Sequence, residues 1–209
     1  MIRKLEAMCR DLNFDEKEAL EIIKQIDINQ EFETYGVIGL SYITTFQAEA
    51  IDGFNIKMLS LLLENGADPN QVYNKSESTL WYLQYNDGQT EEENEIRLKM
   101  AQLLLEYGAN PNMNPDNEPE DLFQWVYYAL WEDDGDLWAY RSRFFVLLVA
   151  YGGKESYLVP KIVKPLDKTK MEQYRFKFVR KDDKALSKDY VAIIVDRKDR
   201  IVAYIQLLL

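Results

Sequence analysis

The chain has 209 residues, 47% of them apolar, with no histidine, one cysteine and a formal net charge of −11. Without histidine there is no imidazole acid–base chemistry, no histidine-dependent triad and no His-Glu-x-x-His metal site, and one cysteine makes neither an intrachain disulfide nor a cysteine-rich zinc site. No phosphate-binding loop of the Gly-x-x-x-x-Gly-Lys or Gly-x-Gly-x-x-Gly type, no apolar signal region and no membrane-length apolar run is present, so the expectation is a cytoplasmic chain with no cofactor and no metal.

In chain order, residues 2–12 form a short amphipathic segment in which Cys9 shares an apolar side with Leu5, Met8 and Leu12, the ordinary setting of a core thiol. Residues 22–30 carry a second apolar run ending in Asp27-Ile28-Asn29-Gln30. Residues 37–48 are the next short segment, read as a helix. Then comes Leu61-Leu62-Leu63-Glu64-Asn65-Gly66-Ala67-Asp68-Pro69-Asn70, which recurs forty-two positions on as Leu103-Leu104-Leu105-Glu106-Tyr107-Gly108-Ala109-Asn110-Pro111-Asn112. The leucines are the apolar side of a helix, and Gly66 and Gly108 stop it because glycine enters the left-handed region without a Cβ penalty. Pro69 and Pro111 forbid re-entry and predict an extended arm.

Residues 79–85 and 122–131 are further short segments, and residues 147–153 repeat the leucine-glycine pattern without the proline. The unit is therefore helix, turn, helix, extended arm, with boundaries at about 1–30, 31–71, 72–112 and 113–154, and with degenerate copies at the ends.

Charge divides the chain as well. Residues 1–154 hold twelve Lys and Arg against twenty-eight Asp and Glu, whereas residues 155–209 hold thirteen against eight. The basic segment reads as β: Tyr174-Arg175-Phe176-Lys177-Phe178 alternates, and residues 190–195 and 201–205 are β-branched runs joined by the polar turn Asp196-Arg197-Lys198-Asp199-Arg200. Pro160 and Pro165 predict an extended connection before it. The expected architecture is mainly α: a helix-turn-helix solenoid of about four units over 1–154, with a small C-terminal antiparallel β meander at 155–209 packed on the last repeat.

The duplicated Gly-Ala-Asx-Pro-Asn motif resembles that of the ankyrin repeat family over roughly residues 1–154, where it ends the second helix and begins the finger. Thr79-Leu80-Trp81-Tyr82 stands where that family has Thr-Pro-Leu-His and keeps only the Thr. The longer period departs from the family through insertions between the helices of a pair, at residues 86–95 and around residues 132–136. The resemblance implies a binding face made of first helices and fingers, which falls by register on Tyr82, Tyr85, Gln124 and Tyr128 and on Tyr73, Asn74, Asp116 and Glu118.

The insertions carry the acidic groups Glu91, Glu92, Glu93 and Glu95, and Asp133, Asp134 and Asp136. Carboxylates at this density are the ligands that Ca²⁺ or Mg²⁺ take, but the second group lacks the remaining residues of an EF-hand loop, and a solvated acidic edge is the simpler reading. The function expected is a non-catalytic protein–protein interaction module of ankyrin-repeat type, monomeric, whose acidity suits a partner with a basic surface and repels nucleic acid. A sharper version is a bacterial immunity-type protein that neutralises a basic toxin. Two alternatives stand beside it: an enzyme with a carboxylate-based site in the C-terminal β module, around Asp196-Arg197-Lys198, and a structural or regulatory subunit that self-associates through the sheet edge at residues 205–209.

Overall fold

A computed structural model describes residues 1–35, 41–73, 77–85, 90–113, 122–132, 138–154, 158–179 and 190–207. The chain forms two compact units, Met1–Asn110 and Pro111–Leu209. This division falls inside the residues expected to form one array, and it separates charge cleanly. The first unit holds nine Lys and Arg against twenty Asp and Glu, and the second sixteen against sixteen, so the whole net charge of −11 belongs to the first.

The first unit contains three helix pairs: α1 (Ile2–Cys9) with α2 (Glu16–Ile23), α3 (Phe46–Asp52) with α4 (Ile56–Glu64), and α5 (Thr79–Tyr85) with α6 (Glu91–Glu106). Two antiparallel hairpins separate the pairs, β1 (Phe32–Tyr35) with β2 (Ser41–Thr44) and β3 (Val72–Tyr73) with β4 (Glu77–Ser78). Most of these helices start at a side-chain cap that satisfies an otherwise orphaned amide. Asp15 accepts from Glu18 N at 3.1 Å, Thr45 from Ala48 N at 3.2 Å, Asn55 from Met58 N at 3.0 Å and Thr90 from Glu93 N at 3.2 Å. Asn55 does more, because its Nδ2 donates to the carbonyls of Met8 (3.3 Å) and Asp11 (2.9 Å) and so ties the start of α4 to the end of α1.

The leucine helices end as their glycines predict. Gly66, Gly108 and Gly152 have φ of 94°, 96° and 92°. Each closes a Schellman pair of hydrogen bonds, for example Ala67 N to Leu62 O at 3.0 Å and Gly66 N to Leu63 O at 3.2 Å. The arm that follows is first a turn, because Gln71 N donates to Asp68 O at 3.0 Å with Pro69 at the second position, where its fixed φ suits a type I or II turn.

The last residue of each motif then bridges to the next copy. Asn29 Nδ2 donates to Gly66 O at 3.2 Å while its Oδ1 accepts from Asp68 N at 2.7 Å. Asn70 repeats the pair on Gly108 O at 3.1 Å and Asn110 N at 2.7 Å. In the second unit Asn112 does the same to Gly152 O at 3.4 Å and Lys154 N at 2.8 Å.

The second unit pairs α7 (Leu122–Glu132) with α8 (Trp138–Ala150) and adds β5 (Leu158–Ile162), a 3-10 helix (Lys168–Gln173), β6 (Arg175–Phe178), β7 (Tyr190–Val195) and β8 (Ile201–Leu207). The four strands form one antiparallel sheet in the order β5-β8-β7-β6. Phe176 of β6 meets Phe145 of α8 edge-to-face, with centroids 5.2 Å apart, and Phe145 also stacks on Phe123 of α7 at 4.7 Å. The polar turn between β7 and β8 is held by Asp196, whose carboxylate accepts from Lys198 N (2.9 Å), Arg200 N (3.1 Å) and Arg200 Nε (2.8 Å).

The expected mainly α helix-turn-helix solenoid of about four units with a small β meander is corrected. Eight α-helices share the described residues with eight strands in three antiparallel sheets, which makes the fold mixed α and β. Two segments account for the difference. The apolar pattern of residues 37–48 predicts a helix, but Ser41–Thr44 is a strand and the helix begins only at Phe46, in keeping with the β-branched and aromatic content of Tyr42, Ile43 and Thr44; residues 37–40 lie outside the described ones. Pro160, read as part of a connection, lies in β5, an edge strand where a missing N–H is tolerated, and this adds a fourth strand to the expected three.

Two measurements check this account. Asn70→Ala leaves Gly108 O and Asn110 N without their bridge, and urea denaturation is expected to show a loss of about 1–2 kcal/mol for the two hydrogen bonds. The Arg200 hydrogen bond, with the two turn amides, holds the Asp196 carboxyl down to about 2. A depressed carboxylate contributes stability above its ordinary pKa of about 4 and loses it as pH falls toward the folded value. The stability difference between the wild type and Asp196→Asn should therefore be constant above about pH 5 and shrink between about pH 4 and 2.

Candidate functional site

The first unit carries a groove of about 460 Å³ lined by Arg3, Glu6, Ala7 and Arg10 of α1 and its C-cap and by Thr34 and Tyr35 of β1. Its lining follows from two periodicities. Residues 3, 6, 7 and 10 recur at helical spacing on the side of α1 opposite Leu5, Met8 and Cys9, which are buried. Along β1, Phe32 and Thr34 are buried while Glu33 and Tyr35 are exposed. Tyr35 is 63% exposed, and Tyr42 and Ile43 of β2 are 38% and 40% exposed. The hairpin therefore exposes large apolar side chains beside charged ones, with Tyr42 opposite Thr34 on the face toward α1 and Ile43 opposite Glu33 on the other.

Two polar networks meet in this groove. In the first, Glu6 accepts from Thr34 Oγ1 and from Arg3 Nη1, the latter at 2.9 Å, and Arg3 lies 5.8 Å from the centroid of the Tyr35 ring. The Glu6 hydrogen bond also strengthens the Arg3 charge. In the second, Glu49 is fully buried and is paired by Arg10, with Nε to Oε2 at 2.6 Å. Arg10 Nη2 also donates to Tyr42 Oη at 2.9 Å and lies 3.6 Å from Asp52 Oδ2. Burial works against the Arg10 charge, and the Glu49 hydrogen bond and charge more than offset it.

Tyr82 of α5 completes the second network by donating its hydroxyl to Asp52 Oδ1, and burial together with the Asp52 charge raises its phenol well above the ordinary value. A buried carboxylate left without its cation is strongly destabilising, so Arg10 is committed to holding Glu49. Arg3 is the cation of this groove held by the weaker tie: its side chain is 58% exposed, and its partner is three residues away on the same helix.

Of the residues expected at the binding face, Tyr82 joins the second network through Asp52 and does not line the groove. Gln124 and Tyr128 belong to the second unit: Gln124 is buried, and Tyr128 is 39% exposed with its ring 6.1 Å from that of Tyr127. Tyr73 lies on β3 and Tyr85 ends α5, with side chains outside the described ones, and Asn74, Asp116 and Glu118 lie outside the described residues.

The acidic run has a local explanation. Glu91, Glu92 and Glu93 occupy the first turn of α6 and Glu95 the next, and Thr90 with Glu93 forms a reciprocal capping box. Carboxylates there offset the positive end of the helix dipole. The insertion is partly absorbed as helix, since α6 has 16 residues against 9 in α4. Asp133, Asp134 and Asp136 lie outside the described residues. Among the described residues no group of three or more Cys, Asp or Glu is placed to hold a metal, and no helix is long and apolar enough to cross a membrane.

Asp196 and Arg200, which border the alternative catalytic position, are engaged in the β7–β8 turn. Sequence reasoning missed Arg3, Glu6, Arg10, Tyr35, Tyr42, Glu49 and Asp52. The polar stripe at positions 3, 6 and 10 is a visible signal for α1; nothing in the sequence pairs it with Tyr35.

A third feature borders the second network. Arg97 of α6 is 5% exposed, its guanidinium lies 4.8 Å from the Phe54 ring centroid, and its Nε and Nη1 are buried without a hydrogen-bond partner. Phe54 itself has φ of 51°, because it takes the left-handed position that closes α3. Guanidinium nitrogens buried without a partner carry a desolvation cost that an apolar side chain of similar length avoids. Arg97→Met is therefore expected to raise stability by about 1–2 kcal/mol in urea denaturation. A loss instead would show that the ring contact outweighs the desolvation.

No protein-family model matches the chain, and no curated protein does.

Proposed function

We propose that this protein is a non-catalytic recognition module that binds a basic surface of another protein through its first unit. The observation that carries the reading is the exposed Tyr35 and Tyr42, with Ile43 on the same hairpin, beside a groove whose neighbouring charges are Glu6, Glu33, Glu49 and Asp52 against Arg3 and Arg10. Tyrosine and arginine with an apolar neighbour make the composition from which interface hot spots are built, and the unit's net charge of −11 steers a basic partner while repelling nucleic acid.

The ankyrin resemblance belongs to this proposal as a resemblance in the repeat motif. A cytoplasmic setting belongs to it too, supported by a lone cysteine that lies buried in the α1 core, where burial raises its thiol. The sharper form of the reading is an immunity-type protein: an acidic face of this kind suits a toxin whose own site is built for phosphate.

Affinity capture from the source cells, followed by titration of the recovered protein, tests the proposal. The expected result is a basic protein whose binding falls steeply with salt. Tyr35→Ala with Tyr42→Ala should weaken binding at least about tenfold while leaving the circular dichroism spectrum unchanged. Equal binding by that double variant, or affinity insensitive to salt, removes the assignment to this face.

A further inference from the structure

The chemistry of the Arg3 subsite goes further than the proposal it rests on, that the first unit recognises a basic protein. Arg3 joins the Tyr35 ring and the Glu6 carboxylate. Glu6 is only 15% exposed and is fixed from its other side by Thr34 Oγ1, so it is oriented before any ligand arrives. Arg3 is 58% exposed and makes an ion pair within one helical turn, the kind of contact that contributes least. The neighbouring cation, Arg10, is engaged by Glu49, Tyr42 and Asp52 and cannot substitute.

We infer that the groove at Glu6, Thr34 and Tyr35 is an arginine-binding subsite and that Arg3 is its internal placeholder, displaced when an arginine side chain of the partner protein enters. A planar guanidinium is the cation that both stacks on an aromatic face and pairs in two places with a carboxylate, which a lysine ammonium does not do. The partner's arginine therefore makes contacts of the same kind that Arg3 gives up, and it adds those of its own chain to Tyr35 and Tyr42. Arg3 works as a brake on affinity: its removal frees a formed site.

The test uses the full chain and a small probe, acetyl-arginine amide, with the neutral acetyl-citrulline amide as control, followed by amide chemical shifts at low ionic strength. The expected result is weak, saturable binding of the arginine probe, with shifts centred on Ala7, Thr34 and Tyr35 and none from citrulline. Arg3→Ala should tighten it roughly three- to tenfold, the reverse of what loss of a binding residue does. Glu6→Gln, which keeps an acceptor for Thr34, should weaken it tenfold or more. Unchanged or weaker binding by Arg3→Ala, equal binding of citrulline, or shifts centred elsewhere overturns the subsite. If a basic partner is captured but Arg3→Ala fails to tighten the probe, the placeholder fails and the recognition reading stands. If the probe behaves as expected and no basic partner is captured, the recognition reading fails and the subsite stands.

Discussion

Three asparagines, Asn29, Asn70 and Asn112, carry the constraint on which the rest of the repeat depends. Each uses both ends of one amide, donating to a glycine carbonyl and accepting from a backbone amide two residues beyond it. Those backbone groups are available because the glycine has taken the left-handed conformation that ends the preceding helix. A carboxylate would lack the donor and a hydroxyl the reach, so the side chain that fits is a primary amide on a short stem. With the glycine turns fixed to one another in this way, the hairpin and helix pair that follow Asn29 and Asn70, and the helix pair that follows Asn112, inherit a defined starting point.

From that frame the groove of the first unit follows in steps. Asn55 ties the start of α4 to the end of α1, and α1 packs on α3, which brings Arg10 over Glu49. Gly53 makes the approach possible, since a Cβ there would lie 2.6 Å from Arg10 Cα. Burying Glu49 then dictates where Arg10 points; Tyr42 and Asp52 engage its remaining donors, and Tyr82 donates in turn to Asp52. The polar face of α1 is left looking at the β1–β2 hairpin with a carboxylate and a loosely held cation. The second unit solves a different problem, closing an aromatic core of Phe123, Phe145 and Phe176 under a four-stranded sheet, and its formal charges cancel.

The acidic run shows how one stretch of sequence supports two readings until its backbone is known. Glu91, Glu92, Glu93 and Glu95 read as a displayed edge; as the first turns of α6 under a Thr90 cap they are helix-starting residues first. Conversely, the residues of the groove carried no conspicuous signature. Arg3, Glu6 and Arg10 look like an ordinary solvated helix face, Tyr35 stands just before residues 37–48, whose apolar pattern predicts a helix, and Tyr42 falls inside them. They acquire meaning by being opposite one another.

The sequence by itself determined the repeat, the glycine-terminated leucine helices, the strands β6, β7 and β8 and the charge asymmetry, because each is written in local periodicity, in φ preference or in composition. It also contained every asparagine of the ladder, as the invariable last letter of Asx-Pro-Asn and of Asp-Ile-Asn. What only the tertiary structure decided were the features that need two distant segments: the strand at Ser41–Thr44, the edge strand through Pro160, the boundary at Asn110, and the groove between α1 and β1. The physical reason is the same in each case. A short apolar run is compatible with helix or strand until a partner supplies hydrogen bonds, and a polar side chain is solvated surface until another element comes within reach to make it a site.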